Sequence, residues 1–187
     1  FSPANWPAVL GLAAPLILAT MATTLPFLAG RGSIDVSVGP LMGLVNVILV
    51  KVVMGDLGIS SPWIIVQAAL LLGLASGALN GLLAAILRIQ PIVATLATYL
   101  IYSGLALSIL PSPSGTVPGW LSALAGPLSF IPVGIVIVAW LFFKRLPFYE
   151  LLMAVGSDDR AAFTAGVNVP LIRFFAYVFS GLIAGVA

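Results

Sequence analysis

An all-α, polytopic transmembrane helix bundle of about six spans is the fold class this sequence predicts, and three observations predict it. Of 187 residues, 61% are hydrophobic and 6% are charged, against about 25% charged in a soluble domain. The 7 basic and 5 acidic residues cannot cover a globule of this size, so lipid is the solvent for most of the chain. Mean hydropathy is +1.24, and the apolar residues fall in runs near the roughly 20 residues that a helix needs to cross a hydrocarbon core. The runs show no barrel-type alternation, and lipid offers no partner to unpaired backbone groups, so the runs must be helices.

The spans fall at 8–29, 34–54, 63–87, 91–110, 129–143 and 172–187. Between the first two stands "GRGSID", where Gly30 and Gly32 let the chain turn with positive φ. Arg31 points to headgroups. Asp35 lies near the start of the second span, either capping it against the positive dipole end or lying deeper as a functional intramembrane acid. Pro62 and Pro91 suit the first turns of the third and fourth spans, where a missing N–H costs nothing. "PSPSGTVPGW" (111–120) is a loop. A start at Phe1 and an end inside "FSGLIAGVA" lead us to expect a piece of a longer protein.

Six crossings put Arg31, Arg88, Lys144, Arg145, Arg160 and Arg173 on one side and Lys51 near the other, which assigns the first side to the cytoplasm. Loops 55–62 and 111–127 then face outside, and 144–171 is the longest polar stretch. There Ser157 or Asp158 caps a helix of about two turns in "DDRAAFTA", and Gly166 ends it. So short a helix needs a partner to hold it.

Several residues on the spans carry polar chemistry or unusual packing. Ala69, Gly73, Gly77, Gly81 and Ala85 recur every fourth residue, a small-residue face for close helix contact within the chain or with a second copy. Asn80, at its edge and one turn from Ser76, is an interhelical hydrogen-bonder. Thr95, Thr98, Tyr99 and Tyr102 make one hydroxyl-bearing stripe. The tyrosines lie at the midplane rather than in the interfacial belt, so the stripe is either a cavity wall for a polar solute or ordinary interhelical bonding. Asn46 shares a face with Asp35 and Met42 and is a second cavity candidate.

With no Cys and no His, disulfides, thiol nucleophiles, His-based triads and the usual zinc sets are excluded. No metal or cofactor is expected. A net charge of +2 without a basic, aromatic-interleaved cluster gives no reason for a nucleic-acid partner. No phosphate-binding G-x-x-x-x-G-K-[ST] loop occurs, so the chain does not hydrolyse nucleotide by that route. An intramembrane protease lacks its base or its second acid.

Four ordered elements resemble the inner-membrane permeases of bacterial ABC sugar importers of the ribose, xylose and galactose type. "GSIDVSVGPLMGL" (32–44) resembles that family's G-G-I-D-L-S-V-G element. "GALNGLLAAILRIQPIVATLAT" (77–98) resembles G-x-x-N-G-x-x-x-A-x-x-x-I-P-P-F-I-x-T-L-x-T, and "IYSGLAL" (101–107) resembles I-Y-R-G-L-A-L. "AVGSDDRAAFTAGVNV" (154–169) is similar to the cytoplasmic A-I-G-x-N-x-E-A-A-R-x-x-G-I-N-V loop, with Arg160 where the family usually has Glu and Phe163 where it often has Arg.

The resemblance implies a single permease domain over 1–187, with 144–171 as its cytoplasmic coupling loop, in the bacterial inner membrane. It implies a transport subunit, not an enzyme, importing a monosaccharide. Its partners would be a second permease subunit, identical or not, two ATP-binding subunits and a periplasmic solute-binding protein. Gly32, Asp35 and Gly39 then form the structural turn. Gly156, Ser157, Asp158, Asp159, Arg160, Ala161, Ala162 and Gly166 form the coupling segment. Asn46, Thr95, Thr98, Tyr99 and Tyr102 line the solute path, and Gly73, Gly77, Asn80 and Gly81 pack helices. Branched-chain amino acids or nucleosides are alternative solutes. An ion-coupled transporter would need more intramembrane acids than Asp35.

Overall fold

The computed structural model describes residues 6–30, 32–126 and 128–187, so Arg31 lies outside the described residues. The chain is an all-α helix bundle and a multi-pass membrane protein, with no strand among the described residues. Five helices are long and apolar enough to cross a membrane. These are α1 (Trp6–Leu28), α2 (Val38–Val47, continued as a π-helix to Asp56), α3 (Pro62–Gly81, continued as a π-helix over Leu82–Ile86), α4 (Pro91–Ile109) and, after four shorter helices, a last one over Val169–Val186. The short helices are α5 (Gly119–Ala125), α6 (Phe130–Phe143), α7 (Pro147–Ser157) and α8 (Asp159–Thr164); Val169–Val186 is α9.

Two elements differ from the sequence expectation. The run at 129–143 forms a helix of 14 residues, about 21 Å at 1.5 Å per residue, which is short of a bilayer core. It bends by 78° into α7, so a sixth span exists only if the bent pair counts as one. Helix α7 itself lies in what reads as polar joint. Its signals are nonetheless present: Pro147 in the first turn, Glu150 facing the dipole, and Leu152 and Val155 on its buried side.

Helices α2 and α3 end in the same way. After α2, the N–H of Leu57 donates to the Val52 carbonyl (2.9 Å) and that of Ile59 to Val53 (3.0 Å). After α3, Leu87 donates to Leu82 (2.8 Å) and Ile89 to Leu83 (3.0 Å). Each wide turn closes on one left-handed residue, Gly58 (φ 65°) in the first and Arg88 (φ 59°) in the second. A proline then opens the next helix, Pro62 or Pro91. Lys51 and Asp56, five residues apart, meet at 2.8 Å along the π-helical end of α2.

The core is built on α3 and α9, which run antiparallel at backbone contact. A Cβ on Gly73 would strike the carbonyl of Gly181, one on Gly77 the carbonyl of Tyr177, and one on Gly81 the Phe174 ring at 2.9 Å. From the other side, Gly181 and Gly185 face Gly77 and Gly73. In lipid, association rests on such packing rather than on water expulsion. The small-residue face of α3 is therefore filled from within the chain, by the "GLIAG" of α9.

Contacts fix which joints share an end. Arg173 Nε donates to the Ala29 carbonyl at 3.2 Å, and Gly156 lies against Leu28 and Gly30. Arg88, Arg160 and Arg173 line one cavity. The joints at 29–30, 88–90 and 156–173 thus gather at one end of the bundle. At the opposite end, Gly115 lies against Val50 on the last turns of α2.

Candidate functional site

Residues 33–37, "SIDVS", enter the bundle as an extended link before α2 starts at Val38. Side chains alternate along it. Ser33, Asp35 and Ser37 are buried, while Ile34 and Val36 are turned outward, 41% and 37% exposed. The alternation is the period of two of non-helical backbone, with the polar face inside, and it ends at Ser37, which already has helical dihedrals as the N-cap of α2. Gly30 (φ 74°) and Gly32 (φ 64°) make the turn that leads into it.

The buried face of the link is stitched to α3 and α4. Asp35 Oδ1 accepts from the backbone N–H (2.9 Å) and hydroxyl (2.7 Å) of Ser37. Asn80 Nδ2 donates to Ser37 Oγ at 2.8 Å, and Asn80 Oδ1 accepts from Thr98 Oγ1 at 2.9 Å. Thr95 Oγ1 accepts from Val36 N–H at 3.3 Å and donates to the Ile34 carbonyl at 3.2 Å. One turn further along, Ser76 and Tyr102 pair their hydroxyls at 2.6 Å. Two side chains reach the link: Thr95 satisfies the Val36 N–H and Ile34 carbonyl that no helical ladder serves, and Asn80, braced by Thr98, holds the Ser37 hydroxyl.

The hydroxyl stripe of α4 divides. Thr95, Thr98 and Tyr102 are buried and bonded within the bundle, whereas Tyr99 is 39% exposed. Asn46, halfway along α2, is also exposed, while Gly39 sits in its first turn. Asp35 is buried and accepts from the Ser37 N–H just ahead of α2, but it does not cap that helix, whose N-cap is Ser37 with no side-chain cap bond. Ser37, at the centre of the network, was missed. The serine–aspartate–serine alternation at period two is the signal that points to it.

At the basic end, the Asp158 carboxylate accepts from the backbone N–H groups of Arg160 and Ala161, each at 3.0 Å, and caps α8. Ser157 instead bonds back to Ala154 and belongs to α7. Gly166, at φ 89°, ends the short helix. Asp159 pairs with Arg173 on α9 at 3.1 Å, and Ala162 is buried. The turn at Gly156 packs backbone to backbone against Leu28. Helix α8 is thereby pinned to the spans, while Ala161, Arg160 and Phe163 face outward, Phe163 at 69%.

No group of three metal-ligating side chains occurs among the described residues.

Comparisons with known proteins agree with this architecture. The family described as branched-chain amino acid transport system / permease component matches residues 6–187. The chain is 34% identical over 189 residues to the galactofuranose transporter permease protein YtfT of Escherichia coli (strain K12), covering 96% of this chain and 53% of that protein. It is 32% identical over 180 residues to a probable ABC transporter permease protein, y4mJ, of Sinorhizobium fredii (91% and 52%). It is 33% identical over 196 residues to the autoinducer 2 import system permease protein LsrC of Yersinia pestis (100% and 54%). The chain thus spans about half the length of the curated relatives it matches. No solved structure matches it. A buried polar link, a glycine-packed helix pair and a pinned helix at the basic end accordingly belong, with the rest of this chain, to the branched-chain amino acid transport system / permease component family, whose ABC permeases include those of sugar importers.

Proposed function

We propose that the protein is the membrane-spanning permease subunit of a binding-protein-dependent ABC importer that moves a monosaccharide-like solute into the cytoplasm. Separate ATP-binding subunits drive it and a solute-binding protein supplies it. The observation that carries this reading is α8. A six-residue helix cannot hold itself, yet this one is capped, salt-bridged to a spanning helix and left with Arg160 and Phe163 outward. That is the form of a part pushed from outside. Force on α8 passes through Asp159–Arg173 to α9 and from α9 to α3 along the glycine contact.

The solute path in this reading runs past Asn46 and Tyr99, with Thr95, Thr98 and Tyr102 as the hydrogen-bonded wall behind them. An asparagine exposed in mid-span is costly against lipid. A polar cavity, closed by a second permease subunit or by the rest of this protein, removes that cost. Neutral hydroxyls favour a polyol; branched-chain amino acids, named in the family's description, and nucleosides are the competing solutes. The reading places the protein in the bacterial inner membrane with the basic end in the cytoplasm.

The test is uptake by the full-length permease in proteoliposomes with its ATP-binding and solute-binding partners. Uptake of a labelled sugar that requires ATP hydrolysis and stops when 157–166 is scrambled supports the proposal. Uptake driven by a cation gradient, with no ATP-binding subunit, overturns it.

A further inference from the structure

We propose that the cavity at the basic end of the bundle binds the phosphate headgroup of an anionic membrane lipid. It has a volume of about 490 Å³ and lies between the α3–α4 joint, α8 and the first turn of α9. Arg88, Arg160 and Arg173 line it, and Asp159 is the one acid among the described lining residues. Arg173 is held by Asp159 and by the Ala29 carbonyl. Neither Arg88 nor Arg160 has an ion-pair partner among the described residues. The cavity is therefore positive in sum; Arg88, which is not on the outer face of α8, is the guanidinium that takes a phosphate bidentately, with Arg160 at the rim the cavity shares with that face.

Arg88 adds an independent argument. The joints after α2 and α3 close with the same wide hydrogen bonds, and each requires one left-handed residue. The first joint uses Gly58, which takes that conformation without steric cost. The second uses Arg88 at φ 59°, where a side chain is strained. The joint itself has no need of a side chain, as Gly58 demonstrates. What the arginine adds is a guanidinium at the mouth of the cavity, and strain of this kind marks a functional position.

The rest of the lining selects the source of the phosphate. Ala85, Ile89, Pro91, Phe163 and Val169 make much of the wall apolar, and the cavity sits at the ends of the spanning helices α3, α4 and α9. A soluble anion has no use for apolar walls, whereas the glycerol and upper acyl chain of a phospholipid do. Basic pockets between spanning helices on the cytoplasmic side are suited to such headgroups. This inference is independent of which solute is moved.

The experiment uses the full-length protein in neutral detergent, titrated with phosphatidylglycerol, phosphatidylcholine or inorganic phosphate, with native mass spectrometry and thermal unfolding as readouts. Phosphatidylglycerol should bind about tenfold more tightly than phosphatidylcholine. That preference should disappear in R88Q/R160Q. It should also weaken severalfold in Arg88→Gly, whose backbone is better suited to the joint than the native one, so that misfolding is not the cause. Equal binding of the two lipids, or a preference that survives both variants, overturns the proposal. Stabilisation by inorganic phosphate as strong as by phosphatidylglycerol also overturns it, by assigning the cavity to a soluble anion.

Discussion

Asn80 accepts from α4 with one end of its amide and donates to the link before α2 with the other. Asn80→Ala removes both bonds, although Ser37 Oγ keeps Asp35 and Thr98 Oγ1 keeps the Thr95 carbonyl, and should cost about 1 kcal/mol, read as a lower unfolding temperature in detergent. Asp35→Asn keeps the Oδ1 acceptor for both Ser37 bonds and should be tolerated, whereas Asp35→Ala should lose about as much as Asn80→Ala. The two tyrosines of α4 should separate. Tyr102→Phe leaves Ser76 without its partner and should lower stability by about 1 kcal/mol. Tyr99→Phe should leave the unfolding temperature unchanged and alter the KM for uptake; an unchanged KM removes Tyr99 from the solute path.

Helix α3 tolerates little at its glycines because its neighbour is backbone, which cannot rotate away. Gly77→Leu should separate α3 from α9 and cost about 3 kcal/mol or more, seen as loss of folded protein on size-exclusion chromatography. Gly39→Ala, with nothing near its Cβ position, should be close to neutral. The stripe in α3 could be read from the four-residue spacing, but its partner could not, because two helices of any chain can meet through small residues. Helix α8 is the opposite case. Its cap, acidic first turn and glycine stop are local chemistry, and Asp158, Asp159 and Gly166 take those places in the fold. Asp158→Ala should unravel it at a cost of about 1 kcal/mol and reduce ATP-coupled uptake without impairing folding of the spans.

Across the whole molecule, the shared end of three joints sets the topology. The chain contains no cysteine, so single cysteines report sidedness without background. Cysteines placed at Gly58 and Ser112 should react with an impermeant maleimide from one side of the membrane, and those at Gln90 and Thr164 from the other. Labelling of Ser112 and Thr164 from the same side would mean that the α6–α7 pair does not cross. That pair is where the sequence is least legible: an apolar run reports its solvent, but a 78° bend between α6 and α7 is set by how both pack on α1 and α9.

Composition, hydropathy and the punctuation of proline and glycine determined the solvent, the helical class, the principal spans and the capped helix at the basic end, because each depends on residues close together in the chain. The partner of the glycine face, the pairing of Ser37 with Asn80, the division of the α4 stripe into bonded and outward-facing hydroxyls, and the gathering of three arginines around one cavity were decided by tertiary structure. Those features join residues tens of positions apart. Only the packing of one helix on another settles which polar groups are left to satisfy one another where water is scarce.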